Sequence, residues 1–124
     1  MLKDKTIVKQ QKKLKLRRRI RARIRGTAER PRLHVFKSNR YVYAQAIDDV
    51  SGRVLAAAAT IEKAFREKSK DSKNKKACEV LGGLMALKLK DKVIRKVVFD
   101  RGIYPYHGKV KTLAEALRSQ GVEF

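Results

Sequence analysis

The chain has 124 residues, 33 of them Lys or Arg against 12 Asp or Glu, for a formal charge of +21 at neutral pH. That length suits one domain and excludes two of ordinary size, and a body with so much excess charge repels itself unless a polyanion neutralises it, which points to nucleic acid. A lone cysteine, Cys78, excludes an internal disulfide, and the longest uncharged apolar run, Val54 to Ile61, is far too short for a bilayer span, so the sequence reads as a soluble protein without a secretory leader.

The charge is concentrated first at the amino end. Residues 1 to 30 hold 13 basic and 2 acidic residues, and Lys12 to Arg25 contains Lys12, Lys13, Lys15, Arg17, Arg18, Arg19, Arg21, Arg23 and Arg25 with no acid among them. Such a segment repels itself in isolation and needs a polyanion to settle. As a helix running to about Ile24, it carries only the narrow stripe Leu16, Ile20 and Ile24, with Gly26 as its stop signal. A stripe that thin, without Trp or Phe, does not fit a membrane anchor. Residues 1–26 therefore read as a basic nucleic-acid-binding extension and residues 27–124 as a single α/β domain.

After the linker Gly26 to Pro31, Arg32 to Lys37 alternates, with Leu33 and Val35 on one face and His34 and Phe36 on the other, which is strand periodicity. Ser38-Asn39-Arg40 supplies turn chemistry, and Tyr41 to Ile47 completes a hairpin. Asp48 to Gly52 is a second turn, returning as a third strand over Arg53 to Thr60. Glu62 to Ser72 reads as a loop or ragged helical turn. Lys73 to Lys90 has its apolar residues at helical spacing, and Gly82 and Gly83 within it suggest close backbone approach to the sheet. Lys96 to Asp100 reads as a strand buried on both faces and, being reached through a helical crossover, parallel to an earlier strand. Val110, Leu113, Ala114 and Leu117 define a last helix that Gly121 ends, leaving Phe124 to tuck against the body.

The segment Asp100 to Lys109 follows the last strand. Open α/β sheets bind ligands beyond the carboxyl ends of their strands, and this loop leads into a helix whose first amides can receive a phosphate. Arg101 and Lys109 supply charge, Tyr104, Tyr106 and His107 flat surfaces for stacking, and Gly102 and Gly108 close approach. For Tyr104 and Asp100 a structural reading is favoured over RNA contact, the first at the rim of the core and the second ordering the turn.

Four blocks, Arg30 to Asn39, Tyr43 to Asp49, Val97 to Gly102 and Tyr106 to Val110, resemble in order and spacing the ribosomal L18 family of the bacterial type, and the resemblance extends over nearly the whole chain. It implies a fold with an antiparallel three-strand meander plus one parallel strand after a helical crossover, a truncated ribonuclease H-like arrangement of the translational-machinery type, with a basic N-terminal helical extension. It also implies a structural protein of the large ribosomal subunit that binds 5S rRNA and helps attach it to 23S rRNA in the central protuberance, beside other large-subunit proteins there. The ribosome would be cytoplasmic, with an organelle ribosome left open. Carried onto matching positions, Arg30, Arg32, Ser38, Asn39, Arg101, Tyr106, His107, Gly108 and Lys109 would lie at or near RNA. Arg40 joins them at the hairpin tip, and the run Arg17 to Arg25 would enter the rRNA. The chain departs from the family where Ile103 stands and around Lys92 and Val93, places at which members often carry Gly. Pro105 also narrows the loop.

Two rivals are open. A nuclease of the ribonuclease H type needs clustered carboxylates around metal ions, including one on the first strand, and Arg32 to Lys37 has none. A nonspecific nucleic-acid chaperone would suit the basic tail but leaves the aromatic loop without a role. No catalytic residue, metal, cofactor, membrane contact or small-molecule substrate is expected.

Overall fold

The computed structural model describes residues 5–38, 40–68, 74–102, 104 and 106–124, and for residues 5–8, 17, 20–23 and 68 the backbone alone. The elements run α1 (Lys5–Arg23), β1 (Arg32–Lys37), β2 (Val42–Asp48), β3 (Arg53–Ala59), α2 (Lys63–Lys68), α3 (Lys75–Asp91), β4 (Val98–Asp100) and α4 (Gly108–Ser119). The four strands form one sheet in the order β3-β2-β1-β4. β1 pairs antiparallel with β2, which pairs antiparallel with β3, while β4 returns through the α3 crossover to lie parallel to β1. The expected α/β class and strand directions are therefore those observed.

Period-two alternation decides which face is inside. Leu33 and Val35 of β1 stand opposite Ala46 and Ala44 of β2, and all four are buried with Val42 and Ala58 under α3 and α4. Ala44 and Ala58 pair across β2 and β3, and these small side chains let Leu81, Met85, Leu89, Leu113 and Leu117 settle close to the sheet. His34, Phe36, Tyr43, Gln45 and Ile47 occupy the opposite face and are only partly covered.

Four expectations are refined by the structure. The strand expected over residues 96–100 is regular only over Val98–Asp100 and lies at the sheet edge, so Val98 and Phe99 are half-buried while Val97 and Asp100 are enclosed. Gly82 makes its close approach to α4, not to the sheet: a Cβ there would stand 2.6 Å from the Cβ of Ala116 and 3.1 Å from the Leu113 carbonyl oxygen, whereas one on Gly83 would meet nothing. Of the two readings of residues 62–72, loop or ragged helical turn, the helical one holds over α2, whose Phe65 is fully buried. Gly26 follows the end of α1 as expected but is not among the residues of positive φ; its place needs glycine because a Cβ would collide with the Arg32 backbone and the Ile47 carbonyl.

Helix ends show where Val93 comes under strain. The Asn74 side chain caps α3 by accepting from the Ala77 amide at 2.9 Å. At its far end Val93 donates to the Lys90 carbonyl and Ile94 to the Leu89 carbonyl, both at 2.9 Å, the reciprocal pattern that needs a left-handed residue just past the helix. Gly121 fills the same place after α4, with Val122 donating to Leu117. After α3 the residue is Val93, exposed and held at φ 58°, where a β-branched side chain crowds its own carbonyl.

A buried set of charges fastens the sheet to its surroundings. Arg32 is 4% exposed and Asp100 1%. Arg32 forks onto Asp49, with Nε donating to Oδ2 at 3.0 Å and Nη2 to Oδ1 at 3.1 Å, and its Nη1 donates to Asp100 Oδ2 at 2.8 Å. Asp49 Oδ2 also accepts from the Gly26 amide at 2.7 Å, and Asp100 Oδ1 from the Gly102 amide at 2.8 Å. Burial by itself would push the Asp100 carboxyl up. The hydrogen bonds from His34, the Gly102 amide and Arg32, reinforced by the charge of His34, outweigh burial and hold it at about 2, below the ordinary 3.8.

Two outcomes are expected in urea denaturation. Val93→Gly should stabilise the protein by about 1 kcal/mol, since relief of left-handed strain exceeds the added freedom of the unfolded chain; an unchanged or lower midpoint would count against strain at this cap. Because the folded pKa of Asp100 lies below its unfolded value, its contribution is present above about pH 4 and disappears as the pH falls toward 2. Asp100→Asn should cost about 3 kcal/mol at pH 7, and the gap to wild type should shrink by about 2 kcal/mol by pH 2. A gap that does not change with pH would contradict the assignment.

Candidate nucleic-acid interface

The sheet face left open by α3 and α4 forms the floor of a groove of about 930 Å³. One wall is α1, which contributes Leu14 and Arg18, and the other is the loop after β4, which contributes Gly102 and Tyr104. Between them lie Arg32, His34 and Phe36 of β1, Gln45 and Ile47 of β2, and the carboxylates of Asp49 and Asp100. The amino-terminal helix and the second cationic loop thus face one another across a common floor.

The floor is aromatic for a reason of register. Phe36 stands directly opposite Tyr43, so their rings stack at 4.7 Å with planes 6° apart, and His34 extends the stack at 5.6 Å from Phe36. Lys37 places its ammonium 4.6 Å from the Tyr104 ring centroid, and its amide donates to the Tyr104 hydroxyl at 3.2 Å. These two contacts pin the loop to the end of β1. Tyr104 is structural, as the sequence suggests, and Asp100 orders the turn while also holding Arg32. Phe36, Lys37, Tyr43 and Gln45 were not singled out in the sequence; the alternation of β1 and β2 put them on the open face and was the available signal.

Of the sequence-derived candidates, Lys12, Lys13, Lys15, Arg18 and Arg19 project from α1 as exposed side chains. Arg17, Arg21 and Arg23 lie on α1, but their side chains are outside the described residues, as are Asn39, Ile103 and Pro105. Arg25 and Arg30 are exposed in the linker, where the Arg30 amide donates to Thr27 Oγ1 and its carbonyl accepts from the Thr27 amide. Ser38 closes the hairpin: its amide donates to the Tyr41 carbonyl at 2.8 Å and its hydroxyl accepts from the Tyr41 amide at 3.1 Å. Arg40 beside it is exposed.

In the loop, Arg101 is exposed and donates to the Tyr104 carbonyl at 2.7 Å. His107 is exposed in extended geometry at the start of α4 without a capping bond of its own, leaving its ring available. Gly108 takes φ 56° and Lys109 is half-buried. Tyr106 is 40% exposed, meets Phe99 edge-on, and its hydroxyl accepts from Arg118 at 3.2 Å. Arg32 differs from all of these. It was expected at RNA, yet its guanidinium is turned inward and committed to Asp49 and Asp100. Burial alone would lower its pKa, but the two carboxylates more than reverse that, so it stays charged throughout. Cys78 is buried in the core, and burial pushes its thiol up, which leaves it unreactive.

Among the described residues no group of three or more His, Cys, Asp and Glu side chains could hold a metal ion, and no helix is long and apolar enough to cross a membrane. The family described as "Ribosomal L18 of archaea, bacteria, mitoch. and chloroplast" matches residues 7–124. A protein of Caldicellulosiruptor saccharolyticus named large ribosomal subunit protein uL18 is 48% identical over 120 residues, covering 97% of each chain. Proteins of the same name from Kosmotoga olearia and Dictyoglomus thermophilum are 44% and 52% identical, the first over 95% of this chain and 100% of its own, the second over 86% and 87%. With the fold, the open cationic face and a match along almost its entire length, this chain belongs to the ribosomal L18 family, whose members are structural proteins of the ribosome and not enzymes.

Proposed function

We propose that this protein is a structural constituent of the large ribosomal subunit that binds 5S rRNA and helps attach it to 23S rRNA in the central protuberance, in contact with other large-subunit proteins there. Residues 1–26 act as the extension that penetrates rRNA, and residues 27–124 as the body that docks on it, in a cytoplasmic or organelle ribosome. The observation that carries the reading is the groove whose opposite walls are the basic helix and the loop after β4. Exposed cations on both walls suit phosphates on two sides of one folded RNA. Paired RNA hides its base edges in a deep, narrow groove, so recognition rests on phosphate and 2′-hydroxyl contacts, with stacking where bases are exposed. The site residues Lys12, Lys13, Lys15, Arg17, Arg18, Arg19, Arg21, Arg23, Arg25, Arg30, Ser38, Asn39, Arg40, Arg101, Tyr106, His107, Gly108 and Lys109 are proposed on this basis. Arg32 is given a different part below.

Salt dependence tests the proposal. Neutralising roughly eight phosphates gives a log-log slope of about −6 to −7 for affinity against salt. Deleting residues 1–24 should flatten that slope while circular dichroism and the urea midpoint show the body still folded. An unchanged slope would remove the extension from the interface. Binding of 5S rRNA should survive a large excess of tRNA at moderate salt; loss of all preference would indicate charge-driven binding without recognition.

A further inference from the structure

The groove walls are joined by one continuous line of hydrogen bonds. It begins at the Gly26 amide, where the basic extension meets the body, and passes to Asp49, whose own amide donates to the Gly26 carbonyl at 3.1 Å. From Asp49 it crosses the Arg32 fork to Asp100, and from Asp100 Oδ1 it reaches the Gly102 amide at the root of the cationic loop. Arg32 is 4% exposed, and three of its five N–H donors are committed to these two carboxylates.

We propose that Asp49, Arg32 and Asp100 are positioning residues for RNA binding: they fix the root of the extension relative to the root of the loop, so that the two grip one RNA as a single preset surface. The inference rests on the RNA-binding reading above. A planar guanidinium is needed because it alone can present three donors in fixed directions to two carboxylates, and a lysine ammonium at the same place cannot span both. Preset geometry matters because a rigid RNA engages the second wall at little further entropic expense only if that wall already stands at the right distance. Losing the brace therefore lowers affinity without removing any phosphate contact.

The test uses the full-length protein and 5S rRNA. Arg32→Lys keeps the charge, so a direct phosphate contact by residue 32 would be preserved, whereas a positioning role would not. Affinity should fall about tenfold, the size of a coupling between linked sites, with the salt slope unchanged. A double-mutant cycle gives the decisive reading: deletion of residues 1–24 and Lys109→Ala should be coupled in the wild type and additive within about twofold in the Arg32→Lys background. Asp49→Glu and Asp49→Asn provide the same measurement should Arg32→Lys fail to fold, and urea midpoints confirm that each variant is native under assay conditions. Wild-type affinity in a folded Arg32→Lys or Asp49→Asn variant, or coupling that persists in it, overturns the brace while leaving RNA binding intact. A wild type without selectivity for 5S rRNA over tRNA overturns both.

Discussion

The fork between Arg32 and Asp49, continued to Asp100, is the interaction on which the arrangement depends. Taking three charges out of water is expensive, and a buried ion pair contributes little net stability compared with apolar residues of the same volume. It does make alternatives costly. If β4 slipped by one residue against β1, Asp100 would turn to the other face and leave Arg32 buried with one partner missing, so the charges select the register that a three-residue edge strand specifies only weakly. The same fork draws in the turn between β2 and β3, so one side chain ties together segments that are 17 and 68 residues away along the chain.

This arrangement also shapes the outer surface. The protein has few acids, and the described ones nearest the sheet are turned inward or bound locally: Asp48 accepts from the Val50 amide and the Ser51 hydroxyl, Asp49 and Asp100 hold Arg32, and Glu62 meets Lys88 at 2.8 Å. The Ser51 hydroxyl, with the neighbouring amides, keeps the Asp48 carboxyl below its ordinary range despite its burial. Acids consumed in this way do not offset the exposed cations of α1 and of the loop. The exposed cations stand on the groove walls, and the two carboxylates and one guanidinium of the buried set lie between them at its floor.

Much of the fold was legible because it depends on period. Leu33 and Val35 marked the inner face of β1, the spacing of Leu81, Leu84, Met85 and Leu89 marked α3, and the crossover marked β4 as parallel. What the sequence withheld were relations between distant residues. A polar residue at an alternating position reads as solvent-facing, so Arg32 looked like a free cation; only the fold brings Asp49 and Asp100 to it. Gly82 announced a close approach but not its partner, since Ala116 lies 34 positions away on another helix. Phe65 sat among charged residues with no apolar period around it, so its helix was only one of two alternatives and its burial was not signalled. Val93 was different again: the departure from a family pattern that often has Gly nearby was visible in the sequence, but its left-handed backbone required the structure.

The candidate site divides along the same line. Residues read from charge alone, such as Lys12, Arg19 and Arg101, are exposed on the walls, because an unpaired cation has no lower-energy place than water or a phosphate. Residues that depend on register, such as Phe36 and Tyr43, share the open sheet face: alternation marked that face, and strand pairing brings the two rings together. The two walls differ in how they are held. The loop is fastened at Gly102 by a bond to Asp100 of β4 and at Tyr104 by a bond to β1, whereas α1 carries like charges at helical spacing, has no acid in its first turn and presents exposed Leu14 and Leu16. Its helical conformation receives little support from its own sequence, while its root at Gly26 is fixed by Asp49. A firmly held root and a self-repelling shaft differ in kind: the first sets where α1 leaves the body, and in the second like charges at helical spacing disfavour the helix unless an anion neutralises them.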